Sequence, residues 1–339
     1  MFRTLPLSLT ARRAGRLHLR ALLGHLLVTG GCGFIGANLV RRVAARGLAR
    51  TIRVVDDESL GSRDAIAGAG AEFVPGDIRD ADLLRRALRG VDAVVHLAAD
   101  TRVIDSIADP ARNFDVNVVG TFRLLGLMRE AGVPRLVNAS TGGAILGEAP
   151  PPVHEDMPPR PASPYGAAKA AAEAYCSAFA QSYGLHAVSL RFSNVYGPLS
   201  FHKGSVVAAF MRRILDDAPL VVYGDGSQTR DYVFVEDLCD GIVAAMTAGA
   251  AGTFQLGSGS GTTLTALIER IAAVTGPAHR PRVRHEPFRA GEIRHTWTDV
   301  TKARERLGWT PRTALPDGLA RTWAWFREQG AHGAAPAPK

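Results

Sequence analysis

An apolar run, Leu26-Leu27-Val28, stops at a cluster of glycines and resumes as Phe34, Ile35, Leu39, Val40 and Val43. No other stretch constrains the chain as tightly. The apolar spacing passes from near two to near 3.6 across the gap, so the segment reads as a strand, a tight turn and a helix. Gly30, Gly33 and Gly36 stand three apart in that turn, where the missing Cβ permits positive φ and lets a ligand lie against the main chain. The helix opening near Phe34 and Ile35 aims unpaired N–H groups and the positive end of its dipole at the gap, which suits a pyrophosphate. Context strengthens the pattern, because a chain with 36 glycines matches short glycine spacings by accident. A second β-like run holding Ile52, Val54 and Val55 ends in Asp56, twenty residues past Gly36. A carboxylate there hydrogen-bonds an adenosine ribose diol and repels a 2′-phosphate, so the dinucleotide expected is NAD rather than NADP.

Further β-like runs at 71–74, 93–95, 136–137 and 188–192 alternate with helical patterns. The expectation is an α/β protein, a Rossmann-type doubly wound parallel sheet with a smaller α/β substrate-binding lobe. Asp77, beside Ile78, closes the third strand where an acid meets an adenine amino group; capping the helix at 80–88 is the other reading of that carboxylate. Leu97, Ala98 and Ala99 follow the fourth strand, and their small side chains let the backbone approach a cofactor. His96 reads as a packed strand-end histidine rather than a catalyst. A helix over 110–131 is expected to carry Phe114, Val118, Phe122 and Leu125 on one face, with Asn117 inside it. Residues 148–164 hold seven prolines and form a loop over the strand ends. Tyr165 and Lys169 then open an alanine-rich helix and share one of its faces, at the carboxyl edge of the sheet where ligands bind in such folds.

Regular alternation ends near Pro198. We therefore expect an NAD-binding domain over 25–198 and mainly a substrate-binding lobe over 199–328, some of whose segments return to the first domain. A helix near 316–329 with Leu319, Trp323 and Phe326 on one face closes the fold, and 329–339 is a tail. Residues 1–24 form a basic extension outside the fold, read as disordered or loosely packed, and resembling either an organelle-targeting peptide or the product of a start codon placed too far upstream. They contain five arginines and no acid; the remaining 35 basic residues against 32 acidic ones leave +3 of the net +8. Nucleic acid is accordingly not expected as a partner of the folded body. No apolar run is long enough to span a membrane. The three cysteines lack metal-type spacing, so no metal is expected and a reducing, cytoplasmic setting fits.

Thr-Gly-Gly-x-Gly-Phe-Ile-Gly, Asp56, His-Leu-Ala-Ala, Asn117, Tyr165-x-x-x-Lys169 and Arg-Phe-Ser-Asn-Val-Tyr-Gly-Pro together resemble the extended short-chain dehydrogenase/reductases. Within these the chain looks like the nucleotide-sugar epimerase/dehydratase group, most like the UDP-glucose 4-epimerases. The resemblance covers about residues 26–328. It implies that Tyr165 takes a proton from a sugar hydroxyl while the attached carbon passes hydride to NAD. A tyrosine with an unperturbed pKa of about 10 needs about 4 kcal/mol of preference for the phenolate to work near 7. Lys169 and the cationic nicotinamide would supply that. The resemblance also places Asn117 and Lys169 against the cofactor, Lys169 on the nicotinamide ribose.

A family Ser or Thr hydroxyl normally assists the tyrosine. Counting back from Gly147, the usual serine position falls on Gly142, so Thr141 takes the role, with Ser140 as runner-up. Related dehydratases carry an Asp-Glu pair after this threonine, whereas Gly142, Gly143 and Ala144 transfer no proton; epimerisation, needing only oxidation and re-reduction, is favoured. Asn194, Arg230 and Arg289 match diphosphate contacts, with Ser140 and Thr141 near the sugar, Glu292 toward the uridine ribose and Thr296 where a small residue leaves room for a 2-acetamido group. A 4-ketoreductase, a dehydratase and a non-catalytic dinucleotide-binding protein are the alternatives, and the nucleotide is UDP or dTDP. The resemblance also implies a homodimer, joined through the helices at 110–131 and 165–183.

Overall fold

The computed structural model describes residues 23–288 and 293–331. The expected basic extension (but for residues 23–24), most of the C-terminal tail, and the candidate residues Arg289 and Glu292 lie outside the described residues. In chain order the strands are β1 (Leu23–Thr29), β2 (Ala49–Asp56), β3 (Glu72–Pro75), β4 (Ala93–His96), β5 (Arg135–Thr141), β6 (His186–Phe192), β7 (Asn194–Tyr196), β8 (Leu220–Tyr223), β9 (Thr229–Arg230), β10 (Tyr232–Phe234), β11 (Gly252–Leu256), β12 (Thr262–Thr263) and β13 (Val283–Glu286). Seven of them pair in parallel in the order β11-β6-β5-β4-β1-β2-β3. The order reverses between β1 and β4, so the carboxyl ends of those two strands open a crevice.

Both faces of this sheet are covered, and its central strand β1 and neighbour β4 are accordingly rich in buried apolar residues. Alternation along β1 sends Leu26 and Val28 into one core and Leu27 into the other. The first core lies under the helices Phe34–Ala45 and Val235–Thr247, the second under Ala81–Ala87, Gly120–Ala131 and Pro164–Tyr183. A third core unites the helices Val206–Leu215, Leu264–Thr275 and Leu315–Ala331, with Leu319, Trp323 and Phe326 buried in it as the apolar spacing requires. Segments beyond Pro198 do return to the first body: β11 becomes an edge strand on β6, and Trp309 joins the first core.

The helix expected over 110–131 is interrupted by one π turn, Asp115–Val119, between Pro110–Phe114 and Gly120–Ala131. The wider turn shifts the phase of the apolar face. Of the four residues expected on one face, Val118 and Leu125 are buried, whereas Phe114 and Phe122 are 57% and 47% exposed.

Candidate active site

The glycine turn stands over the β1/β4 crevice. Gly30 has φ of +70°, and a Cβ there would come within 2.5 Å of the Ala98 backbone nitrogen. A Cβ on Gly36 would lie 2.2 Å from the Gly30 carbonyl oxygen, whereas one on Gly33 meets nothing nearer than 3.4 Å. One glycine thus makes the turn, one lets the helix pack on it, and the middle one leaves a bare stretch of main chain. The 12-residue helix Phe34–Ala45 has no side chain capping its N-terminus, so its N–H groups remain for an anion. The Phe34 ring is buried in the first core and Ile35 is half-buried against it, which leaves their backbone for a ligand. Gly36→Ala is expected to cost about 1–3 kcal/mol by overpacking; thermal unfolding as stable as the parent's would contradict the contact.

Asp56 is buried, and its two oxygens accept from Cys32 N at 2.9 Å and Glu58 N at 2.8 Å. Burial pushes this carboxyl up, and the two N–H donors offset part of the effect. The acid ties the glycine turn to β2 and keeps lone pairs for a diol. Asp77 is taken by Arg79 at 2.6 Å, whose guanidinium holds the carboxyl below the usual range and also reaches Asp115 at 2.7 Å. The cap of the following helix is Asp80, not Asp77. The Ile78 side chain is committed to the second core.

Leu97, Ala98 and Ala99 are half-buried beside the glycine turn. Asn117, in the π turn, is buried and spends its amide on the main chain of one residue: its oxygen accepts from Asp100 N at 2.9 Å and its nitrogen donates to Asp100 O at 2.8 Å. It holds the shape of the loop after β4.

Thr141 ends β5 and Tyr165 opens the helix Pro164–Tyr183, whose first turn is capped by Ser163 accepting from Gly166 N. The Thr141 side chain stands close enough to the Tyr165 phenol to favour its ionised form. One turn on, Lys169 is buried and donates to Ala139 O at 2.9 Å. Burial pushes the phenol up to about 12, with the Asp100 charge adding to the effect and Thr141 opposing it. Burial pushes Lys169 down to about 8, offset by Cys176 and Glu173.

Ser140, the runner-up, points the other way, because successive side chains on a strand alternate. Its hydroxyl donates to Glu173 at 2.5 Å. A side chain at position 142 would also face away from the phenol: a Cβ on Gly142 would lie 2.7 Å from the Gln255 amide oxygen. Thr141 is the hydroxyl of this segment that meets Tyr165. Thr296 is near this group, its methyl 4.0 Å from where a Cβ on Gly143 would be.

Asn194 and Arg230 stand at the mouth of the second lobe. Asn194 donates through its backbone and amide nitrogens to Asp231 O, at 2.9 and 3.2 Å, and Arg230 reaches Thr229 O at 2.8 Å and Arg294 O at 3.2 Å. Two features went unread in the sequence. Buried Asp231 gathers Ser258, Gly259 and Thr298 around one carboxylate. Glu173 forms a buried ion pair with Arg191 at 2.8 Å; its position one turn past Lys169 was the available signal. Among the described residues no cluster of His, Cys, Asp and Glu has metal-holding geometry, and no helix is long and apolar enough to cross a membrane.

A doubly wound sheet with an open glycine turn at its switch point, an acid at the end of β2 and a Thr-Tyr-Lys group at the crevice edge defines a dinucleotide-dependent redox site. The sequence profile of the NAD dependent epimerase/dehydratase family matches residues 26–257, and the chain belongs to that family. A UDP-glucose 4-epimerase of Mycolicibacterium smegmatis is 41% identical over 312 residues, covering 89% of this chain and 98% of the relative. A dTDP-glucose 4,6-dehydratase of Streptomyces niveus is 35% identical, covering 90% and 94%. The crystal structure of a Thermotoga maritima UDP-glucose 4-epimerase with UDP-glucose superimposes with a TM-score of 0.85 at 37% identity, covering 90% of this chain and 99% of that one.

Proposed function

We propose that this chain is an NAD-dependent 4-epimerase of a nucleotide sugar, UDP-glucose/UDP-galactose or a related UDP-hexose or uronic acid. The observation that carries this reading is that the run after Thr141, Gly142-Gly143-Ala144, holds no group able to transfer a second proton beside the Tyr165 phenol. A dehydratase has to eliminate water and needs such a group; an epimerase does not.

Tyr165 takes the proton of the 4-hydroxyl, and Thr141 hydrogen-bonds the same oxygen. The open glycine turn, Asp56 and the backbone of residues 97–99 fit a dinucleotide, with Asp77 and Ile78 at its adenine end. NAD held there supplies one chemistry, accepting a hydride from carbon 4 and returning it to the other face. Asn194, Arg230 and Arg289 hold the diphosphate, Glu292 the uridine ribose, and the small Thr296 leaves space at carbon 2. The test is incubation with a panel of UDP-sugars without added cofactor. UDP-galactose formed from UDP-glucose by protein that retains NAD supports the reading; a 4-keto-6-deoxy product, or NADH consumed with a keto-sugar, replaces it by a dehydratase or a ketoreductase.

The same helices suit a homodimer in the cytoplasm. Phe114, Phe122, Tyr175 and Tyr183 leave an exposed aromatic face on them, with Phe122 and Tyr175 in edge contact at 5.0 Å. A patch of this kind marks an interaction surface. Phe122→Glu with Tyr175→Glu is expected to give a monomer by sedimentation, and a parent already monomeric at micromolar concentration would reject the dimer.

A further inference from the structure

His96 lies at the end of β4 and is 2% exposed, between two threonines on neighbouring elements. Its Nδ1 is 2.7 Å from the Thr29 hydroxyl and its Nε2 is 3.0 Å from the Thr121 hydroxyl. The direction of every proton in this row follows from the ends. Thr121 donates its hydroxyl proton to the Asn117 carbonyl at 2.7 Å, because a carbonyl only accepts. Toward His96 that hydroxyl has only a lone pair left, so Nε2 carries the hydrogen. A neutral imidazole has one N–H, which leaves Nδ1 bare and makes Thr29 the donor to it. Burial and the charge of Lys169 push His96 down to about 3, so it stays neutral at working pH.

The row joins three pieces of main chain that face the crevice. Thr29 directly precedes Gly30, and its hydroxyl also accepts from Ala98 N at 3.4 Å. Asn117, whose carbonyl ends the row, holds Asp100 at both its N–H and its C=O. One ring thereby spaces the glycine turn, the loop 97–100 and the π turn from one another.

We propose that His96 is a positioning residue for the dinucleotide, a neutral Nε2–H imidazole in a one-way hydrogen-bond row that sets the width of the crevice between the glycine turn and the loop after β4. It rests on the NAD-binding reading, but its tests need no turnover, so loss of epimerase activity and failure of the row are distinguishable.

Long-range nitrogen–proton NMR on the full chain labelled with 15N-histidine, with the His96 signal assigned from its absence in His96→Gln, reads the tautomer directly. The expected signal is the Nε2–H form, unchanged between about pH 5 and 9. A second readout is NAD affinity by calorimetry. His96→Leu leaves the Thr29 and Thr121 groups unpaired and is expected to weaken NAD by roughly tenfold or more. His96→Gln keeps one donor and one acceptor and is expected to restore most of that loss. An Nδ1–H tautomer, a titrating signal, parental affinity in folded His96→Leu, or no rescue by glutamine in a folded variant would each overturn the proposal. The wild-type spectrum decides the matter even where His96→Leu does not fold.

Discussion

Replacing Tyr165 by Phe is expected to lower turnover of the UDP-sugar by about 10²- to 10⁴-fold, the usual worth of a positioned general base. One oxygen is removed and little else changes. The helix is started by Ser163 and by the backbone N–H of Tyr165 on Ser106, neither of which uses the phenol. The freed Thr141 hydroxyl stays half-exposed, so water can satisfy it. Thermal stability should therefore hold while chemistry fails. The pH profile carries the rest of the argument. With the phenol pushed up to about 12 by burial, and the charges of Lys169 and the bound cofactor expected to bring it down, the parent's rate should rise with pH as the phenolate forms. Lys169, pushed down to about 8, loses its charge above that value, and the rate should then level or fall. Progress curves for parent and variant across this range, with the NADH absorbance followed in a single turnover, check both parts. A Phe variant that keeps most of the parental rate would remove the phenol from the mechanism.

The cofactor side of this site was legible in the chain because its signals are local. A change of apolar period, three glycines and an acid twenty residues on all fall within one strand-turn-helix-strand unit, and each has a steric reason that the structure bears out at Gly30 and Gly36. His96 was read as a packed residue for the same kind of reason, being the last member of an apolar strand. Tyr165 and Lys169 share a helix, so their common face followed from spacing alone.

What the sequence did not disclose depends on contacts between distant segments. Whether Ser140 or Thr141 meets the phenol is decided by which face of β5 the helix Pro164–Tyr183 covers, and one residue of register reverses the answer. Asp231 shows no special spacing; its partners come from residues 258, 259 and 298. That some segment returns to the first domain was expected, but that it is β11, pairing with β6 across residues 193–251, has no local cue. The π turn at Asp115–Val119 also has no announcing residue in the sequence.

The largest effect on stability is expected at the pair that the spacing rules left out. Glu173 and Arg191 have side chains 9% and 5% exposed, and the guanidinium grips the carboxylate with Nε at 2.9 Å and Nη2 at 2.8 Å. Ser140 adds a third bond to the same carboxylate at 2.5 Å. The helix that carries Tyr165 and Lys169 is thus fastened to β6 through Arg191 and to β5, the strand that supplies Thr141 and the Ala139 carbonyl. Arg191→Met leaves a buried carboxylate without its countercharge, and such a break costs about 3–5 kcal/mol. In a chain of this length that corresponds to a fall in Tm of roughly 5–10 °C. Removing both charges, as Glu173→Leu with Arg191→Met, should recover much of the loss, since well-packed apolar groups often replace a buried pair at little cost. The recovered fold should nevertheless turn over poorly, because Ser140 then has no anchor and Lys169 loses the nearby carboxylate that favours its charged form. Thermal unfolding of the parent, each single variant and the double variant measures the coupling directly. If Arg191→Met melts with the parent, or the double variant is no more stable than the singles, the pair does not hold the catalytic helix to the sheet.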